Sequence, residues 1–180
     1  VKARGTVMMK KEVDITKYNK VAFEFQIFSL GAFIAFMVLM IIAAIKENRP
    51  LNIIFYLVGI VVVIFLNKYI HETCHYIVAR IQGFDCQIKY GLKMSECRVN
   101  GVQTYRQVIA LSLAPLYFYI PVSFIVYLSG IPISLKAMYS GVLCLFLGGM
   151  LGDFIYVSEA LKNKGARFTD KGHILIIEKE

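Results

Sequence analysis

The chain has 180 residues, 58% of them hydrophobic, with a mean hydropathy of +0.63 and a net charge of +8. Soluble domains are about 45–50% apolar. The excess here sits in long runs, which argues against a soluble enzyme or a disordered chain and for a membrane protein. The basic residues lie outside those runs, the pattern of positive-inside topology rather than of a nucleic-acid binder. The four cysteines, at positions 74, 86, 97 and 144, form no C-x-x-C pattern and are expected to be reduced.

Residues 1–20 are polar and basic, with Lys2, Arg4, Lys10, Lys11, Lys17 and Lys20, and read as a cytosolic segment. Met8-Met9-Lys10-Lys11 resembles a natural start, which would make residues 1–7 an over-extension of the gene. Asp14 or Thr16 is placed to cap a helix entering the membrane. The first span is expected over residues 21–45; it is too long for a signal-peptide core and stays as an anchor. Lys46 to Pro50 form a turn, and residues 51–70 a second, all-round apolar span that continues as helix to Gln82, where Gly83 stops it. Residues 84–105 read as a small polar β element, with turns at Tyr90-Gly91-Leu92 and at Asn100-Gly101, the second a strong hairpin signal. Cys86 and Cys97 flank the first turn as facing free thiols. A third span over 106–128 is kinked by Pro115 and Pro121, and a fourth covers 137–160. Residues 161–180 form a cytosolic tail ending in a short strand from His173 to Ile177.

The fold class expected from this order is an all-α membrane protein: four transmembrane helices, with a small cytosolic β-hairpin between the second and third. Six basic residues precede the first span, five lie between 80 and 106, and five follow the last span, against Lys46, Arg49 and Lys136 in the other loops. Both termini therefore belong in the cytosol of a multi-pass protein of the cytoplasmic membrane.

The chemistry lies in His71-Glu72-Thr73-Cys74-His75, an H-E-x-x-H at the inner end of the second span. Helical residues four apart differ by about 40° in azimuth and about 6 Å along the axis, so His71 and His75 share a face. Two imidazoles so placed hold one Zn2+, and Glu72, about 100° away, serves as general base toward a zinc-activated water. No metzincin extension follows, because positions 78 and 81 are Val78 and Ile81. The third ligand is expected from Asp153, the acidic residue well inside the fourth span, where an ionised carboxylate is costly unless paired or metal-bound. It lies about 16 residues into that helix by the rise of an α-helix, on the same side of the bilayer as the histidines. Gly148-x-x-x-Gly152 is expected to let the second and fourth spans approach closely. His173 and Cys74 are weaker ligand candidates. Asn67 is assigned to orienting a ligand or a substrate carbonyl, and Lys68 to pairing with Glu72.

HETCH at 71–75, the hairpin-bearing connection, VIALSLAP at 108–115 and GGMLGD at 148–153 resemble a bacterial family of zincin-type membrane peptidases, distantly similar to site-2 proteases. The resemblance implies zinc on His71, His75 and Asp153, with Glu72 as catalytic base. It departs from site-2 proteases in that glycine precedes the aspartate and Phe154 follows it, and no PDZ domain is present. The expected function is hydrolysis of a peptide bond at the cytosolic membrane face. The partners implied are the lipid bilayer and a membrane protein or peptide substrate. Two other readings stay open: a non-catalytic membrane protein on the same fold, holding structural zinc or a partner, and a metal- or haem-handling membrane protein, ranked lower.

Overall fold

The computed structural model describes residues 9–91, 95–172 and 174–179, with Asn19 described by its backbone only. In chain order it comprises β1 (Met9–Asp14), a 3₁₀ turn (Ile15–Tyr18), α1 (Asn19–Lys46), α2 (Asn52–Ile81), β2 (Asp85–Lys89), β3 (Glu96–Asn100) and β4 (Val102–Gln103). Then come α3 (Tyr105–Ser112), α4 (Ala114–Leu128), α5 (Ile133–Gly149), α6 (Leu151–Lys162), β5 (Arg167–Asp170) and β6 (Ile174–Lys179). The chain is predominantly helical but carries two sheets, so the all-α expectation is corrected. The first-turn segment around Leu92 and the weaker ligand candidate His173 lie outside the described residues.

Two helices, Lys20–Lys46 and Asn52–Ile81, are each long and apolar enough to cross a membrane. The pairs α3–α4 and α5–α6 meet the same test only together, bent by 43° and 52° at their breaks, so the count is two, or up to four. The chain divides into two compact units: Val1–Tyr18, Glu72–Pro115 and Gly152–Glu180 in the first, Asn19–His71 and Leu116–Leu151 in the second.

The first unit is built on sheets that the sequence reading underestimated. A four-stranded antiparallel sheet runs in the order β1-β6-β5-β4, with Val13 opposite Leu175 and Phe168 opposite Ile177. Leu175, Ile176 and Ile177 are all buried, as a central strand covered on both faces requires. Val13, Val108, Ala160, Phe168, Leu175 and Ile177 form its core. Burying a side chain the size of Phe168 contributes about 1.5–3 kcal/mol. Lys11 reaches from β1 to the buried Glu159 of α6 at 2.6 Å and ties the N-terminal strand down. Residues 9–14 are a strand, and Asp14 Oδ1 accepts from Thr16 N–H at 2.9 Å at the start of the 3₁₀ turn, with α1 beginning only at Asn19.

The second sheet is the β2–β3 hairpin, where Cys86 opposes Val99 and Cys97 opposes Ile88. Cys86 and Val99 pack on Ala79 and Leu111. Asn100-Gly101 does not close a hairpin. Gly101, at φ 127°, hands the chain to β4, which pairs with β5 in the other sheet. That φ is open to glycine alone among the common residues.

Both long helices end in the same motif. After α1, Arg49 N–H bonds Ala44 O at 2.9 Å and Asn48, at φ 54°, donates to Ile45 O. After α2, Phe84 N–H bonds Ala79 O at 3.0 Å and Gly83, at φ 83°, donates to Arg80 O. These are Schellman caps, and Gly83 stops α2 as its sequence predicts.

In the second unit α1 packs along α5. Large apolar side chains remain on the outside, with Phe28 73% and Phe55 74% exposed, a surface that water disfavours and lipid accepts. The glycines serve a different neighbour from the one expected: a Cβ on Gly148 would lie 2.7 Å from Ser29 Oγ of α1, and one on Gly141 2.6 Å from Met37 Cε. At the other end of these helices, Ser134 is fully buried and donates to Glu47 through its N–H (3.2 Å) and its hydroxyl (2.7 Å). Those bonds hold the Glu47 carboxyl below its ordinary range, the hydroxyl bond first. Tyr56 Oη lies 3.1 Å from the same hydroxyl oxygen.

Overpacking a tight contact costs about 1–3 kcal/mol. Gly148→Ala is thus expected to lower the thermal midpoint in detergent, while Gly149→Ala, with nothing within 4 Å of its added Cβ, changes it little.

Candidate metal centre

The H-E-x-x-H lies in the uninterrupted part of α2, and the division between the two units falls inside that helix, after His71. Glu72 and His75 are buried, at 8% and 7% exposure. Asp153 arrives on a different kind of element from the one expected. The fourth apolar run breaks at Met150, so Asp153 is the third residue of α6 and stands in its first turn. A carboxylate there is favoured by the unpaired N–H groups of the helix start, which offsets part of its desolvation.

His75 Nε2 and Asp153 Oδ1 are 3.4 Å apart. His75 Nδ1 lies 2.8 Å from Leu111 O. A carbonyl oxygen only accepts, so Nδ1 carries the hydrogen, and in a neutral ring the lone pair is left on Nε2, toward Asp153. This is the arrangement by which metal-ligating histidines are commonly oriented. His71 precedes His75 by one turn, and ligand atoms of His71, His75 and Asp153 all lie within 4.8 Å of one another. Two imidazole nitrogens and one carboxylate match the donor set of an open zinc site that keeps a fourth position for water. The His71 ring also meets Phe146 edge-on, with centroids 5.8 Å apart.

Leu111 O is available for a reason written in the sequence. Within a helix it would accept from the N–H four residues on, which is Pro115 and has none. The helix breaks at Leu113, between α3 and α4; a backbone N–H at that cap bonds Leu111 O, and the same carbonyl oxygen also lies 2.8 Å from His75 Nδ1. Sequence reasoning took Pro115 as a kink and missed this consequence; the signal was proline four residues after a carbonyl facing the motif. Pro121, by contrast, stays inside α4.

The two auxiliary residues have other partners. Lys68 Nζ stands 5.1 Å from the centre of the Tyr69 ring rather than against Glu72. Asn67 Oδ1 accepts a hydrogen bond from Tyr119. Cys74, Cys97 and Cys144 are half-buried and Cys86 is buried; none of the four is in a disulfide. Burial pushes the Cys97 thiol up to about 12, with Cys86 and Glu72 adding to it, and raises Cys86 too. Neither thiol is ionised at neutral pH, so a thiolate-based role for the pair is disfavoured.

Behind the site, burial pushes the Asp170 carboxyl from 3.8 up to about 6, against the opposing bond from Gly172 N–H at 2.8 Å; Glu96 adds repulsion. Glu96 is itself paired with Arg98 at 2.7 Å.

Comparison of the chain with family models, with curated proteins and with solved structures finds no match.

Two outcomes are expected. Pro115→Ala restores an N–H that competes for Leu111 O, frees the His75 ring to rotate, and weakens zinc affinity about 10–100-fold by competition titration. Asp170 binds its proton more tightly folded than unfolded, so its contribution to stability is present below pH 3.8 and is lost as the pH rises through about 6. Asp170→Asn should therefore be more stable than the parent at pH 7.5, by up to about 3 kcal/mol, with the gap closing toward pH 5 in detergent melts.

Proposed function

We propose that the chain is a membrane-embedded zinc metallopeptidase that hydrolyses a peptide bond at the cytosolic membrane face. In this reading each bent helix pair is one span, giving four, with both termini in the cytosol. His71, His75 and Asp153 hold the metal, and the family resemblance of the H-E-x-x-H and G-D segments points the same way.

One observation carries the proposal. A lone pair on His75 Nε2 and a carboxylate oxygen, held at 3.4 Å with the other ring nitrogen committed to Leu111 O, need a positive charge between or beside them. A histidine–aspartate ion pair alone would supply it by protonating the ring. The second imidazole one turn away, with its nitrogen inside the same 4.8 Å, favours a metal ion, since a protonated pair has no use for it.

Zinc, when bound, supplies Lewis acidity toward the scissile carbonyl and toward water. The protein supplies the rest. Glu72 follows His71 directly and so does not share the ligand face; it takes the proton from water and returns it to the leaving amine. Its burial keeps that carboxylate among few competing waters, where its charge acts at lower dielectric. Asp153 contributes the single negative charge of the ligand set, leaving the centre net positive toward a carbonyl oxygen.

Glu72→Gln is expected to keep one zinc per chain and abolish cleavage of a fluorescent casein, while Asp153→Ala loses most of the metal by elemental analysis. Normal cleavage by Glu72→Gln would overturn the mechanism. Zinc retained with no turnover in the parent would favour a non-catalytic zinc protein instead.

A further inference from the structure

One helical turn before His71, on the same face of α2, stands Asn67. Its Oδ1 accepts a hydrogen bond from the Tyr119 hydroxyl of α4. Tyr119 is itself fixed: it is 8% exposed, and its ring lies on Phe146, centroids 3.6 Å apart and tilted by 30°. Phe146, 1% exposed, is the same ring that meets His71 edge-on. All four side chains belong to the second unit.

An asparagine amide has an acceptor end and a donor end, and which is which follows from its partners. The amide stands with Oδ1 toward the Tyr119 hydroxyl, which donates to it. The other end is then Nδ2, with two hydrogens and no partner among the described residues. Asn67 is only partly buried, so a ligand can reach it. An amide donor left unpaired on a lipid-surrounded helix is costly, and polar groups kept in such places serve a site. The nearest site is the metal centre one turn, about 6 Å, further along the helix.

We propose that Asn67 Nδ2 donates a hydrogen bond to a backbone carbonyl oxygen of the peptide substrate, and that Tyr119 is the positioning residue that fixes the amide for it. The inference rests on the peptidase reading and deepens it: the substrate is a polypeptide whose main chain lies along the membrane side of the metal, past His71. Its carbonyls have lost water there, so one oriented donor counts for more than at the surface. Tyr119 touches no substrate in this scheme. It acts by preventing the amide from turning over and by keeping its oxygen occupied.

The test uses full-length zinc-loaded protein in detergent, with fluorescent casein as substrate and a dipeptidyl hydroxamate as ligand. Asn67→Asp keeps the acceptor for Tyr119 and removes the donor. It is expected to hold zinc and melt as the parent does, to lower kcat about 10–100-fold, and to weaken hydroxamate binding about tenfold. Tyr119→Phe should give a smaller loss in the same direction. The Asn67→Ala/Tyr119→Phe double variant should be no worse than Asn67→Ala, because Tyr119 acts only through Asn67. A helix-bracing role predicts the opposite: Asn67→Asp close to the parent in kcat and hydroxamate affinity, and losses that add in the double variant. Either result overturns the proposal. If the parent cleaves nothing, the peptidase reading fails, and hydroxamate affinity still decides: unchanged binding by Asn67→Asp ends the assignment, weakened binding upholds the donor.

Discussion

The structure depends on a hydrogen bond between a ring and a backbone. His75 Nδ1–H to Leu111 O, at 2.8 Å, fixes which nitrogen faces Asp153, and what the candidate site could hold follows from that choice. With its single hydrogen on Nε2 instead of Nδ1, the neutral ring would donate an ordinary hydrogen bond to the carboxylate. Held as it is, it presents a lone pair to a negative oxygen, which is stable only around a cation or a proton. The fold secures the choice with a proline. Pro115 removes the N–H that would have claimed Leu111 O inside a continuous helix. A second interruption, at Met150, places Asp153 in the first turn of α6 rather than in mid-helix. Two helix breaks thus deliver the carbonyl and the carboxylate, while the helix carrying the histidines runs unbroken through both.

Much of this was legible in the residues. Spacing alone put His71 and His75 on one face, and hydropathy placed them at the end of α2. Gly83 marked the end of that helix because only its φ of 83° fits the cap without strain. Asp153 stood out because charge within an apolar run demands a reason. Ligand atoms of those three residues lie within 4.8 Å of one another.

The sheets were harder to see for a physical reason. β1 carries three consecutive charged residues, Lys10-Lys11-Glu12, its single buried residue is Val13, and its partner β6 lies near the other end of the chain. No local period signals such a pairing, because the strand is defined by its neighbour and not by its own face. Asn100-Gly101 misled in the other direction. Its glycine does adopt a positive φ, but the chain it turns joins two different sheets. The glycines of the last apolar run were read as a seam toward α2. They instead admit Ser29 and Met37 of α1, since a small residue states that something comes close and not what it is.

The same distinction bears on Asn67 and Lys68. Adjacent on α2, they were assigned by spacing to comparable auxiliary roles. Lysine has a long stem and three equivalent donors, so it finds the Tyr69 ring and its position carries little directional information. Asparagine is short and has two unlike ends, so one partner at one end determines what the other can offer. In the proposed scheme an amide donor one turn from His71 is a directional statement about a ligand. Its chemistry, a neutral N–H donor, suits the carbonyl of a peptide main chain better than an ion or a lipid phosphate, which would call for a charge.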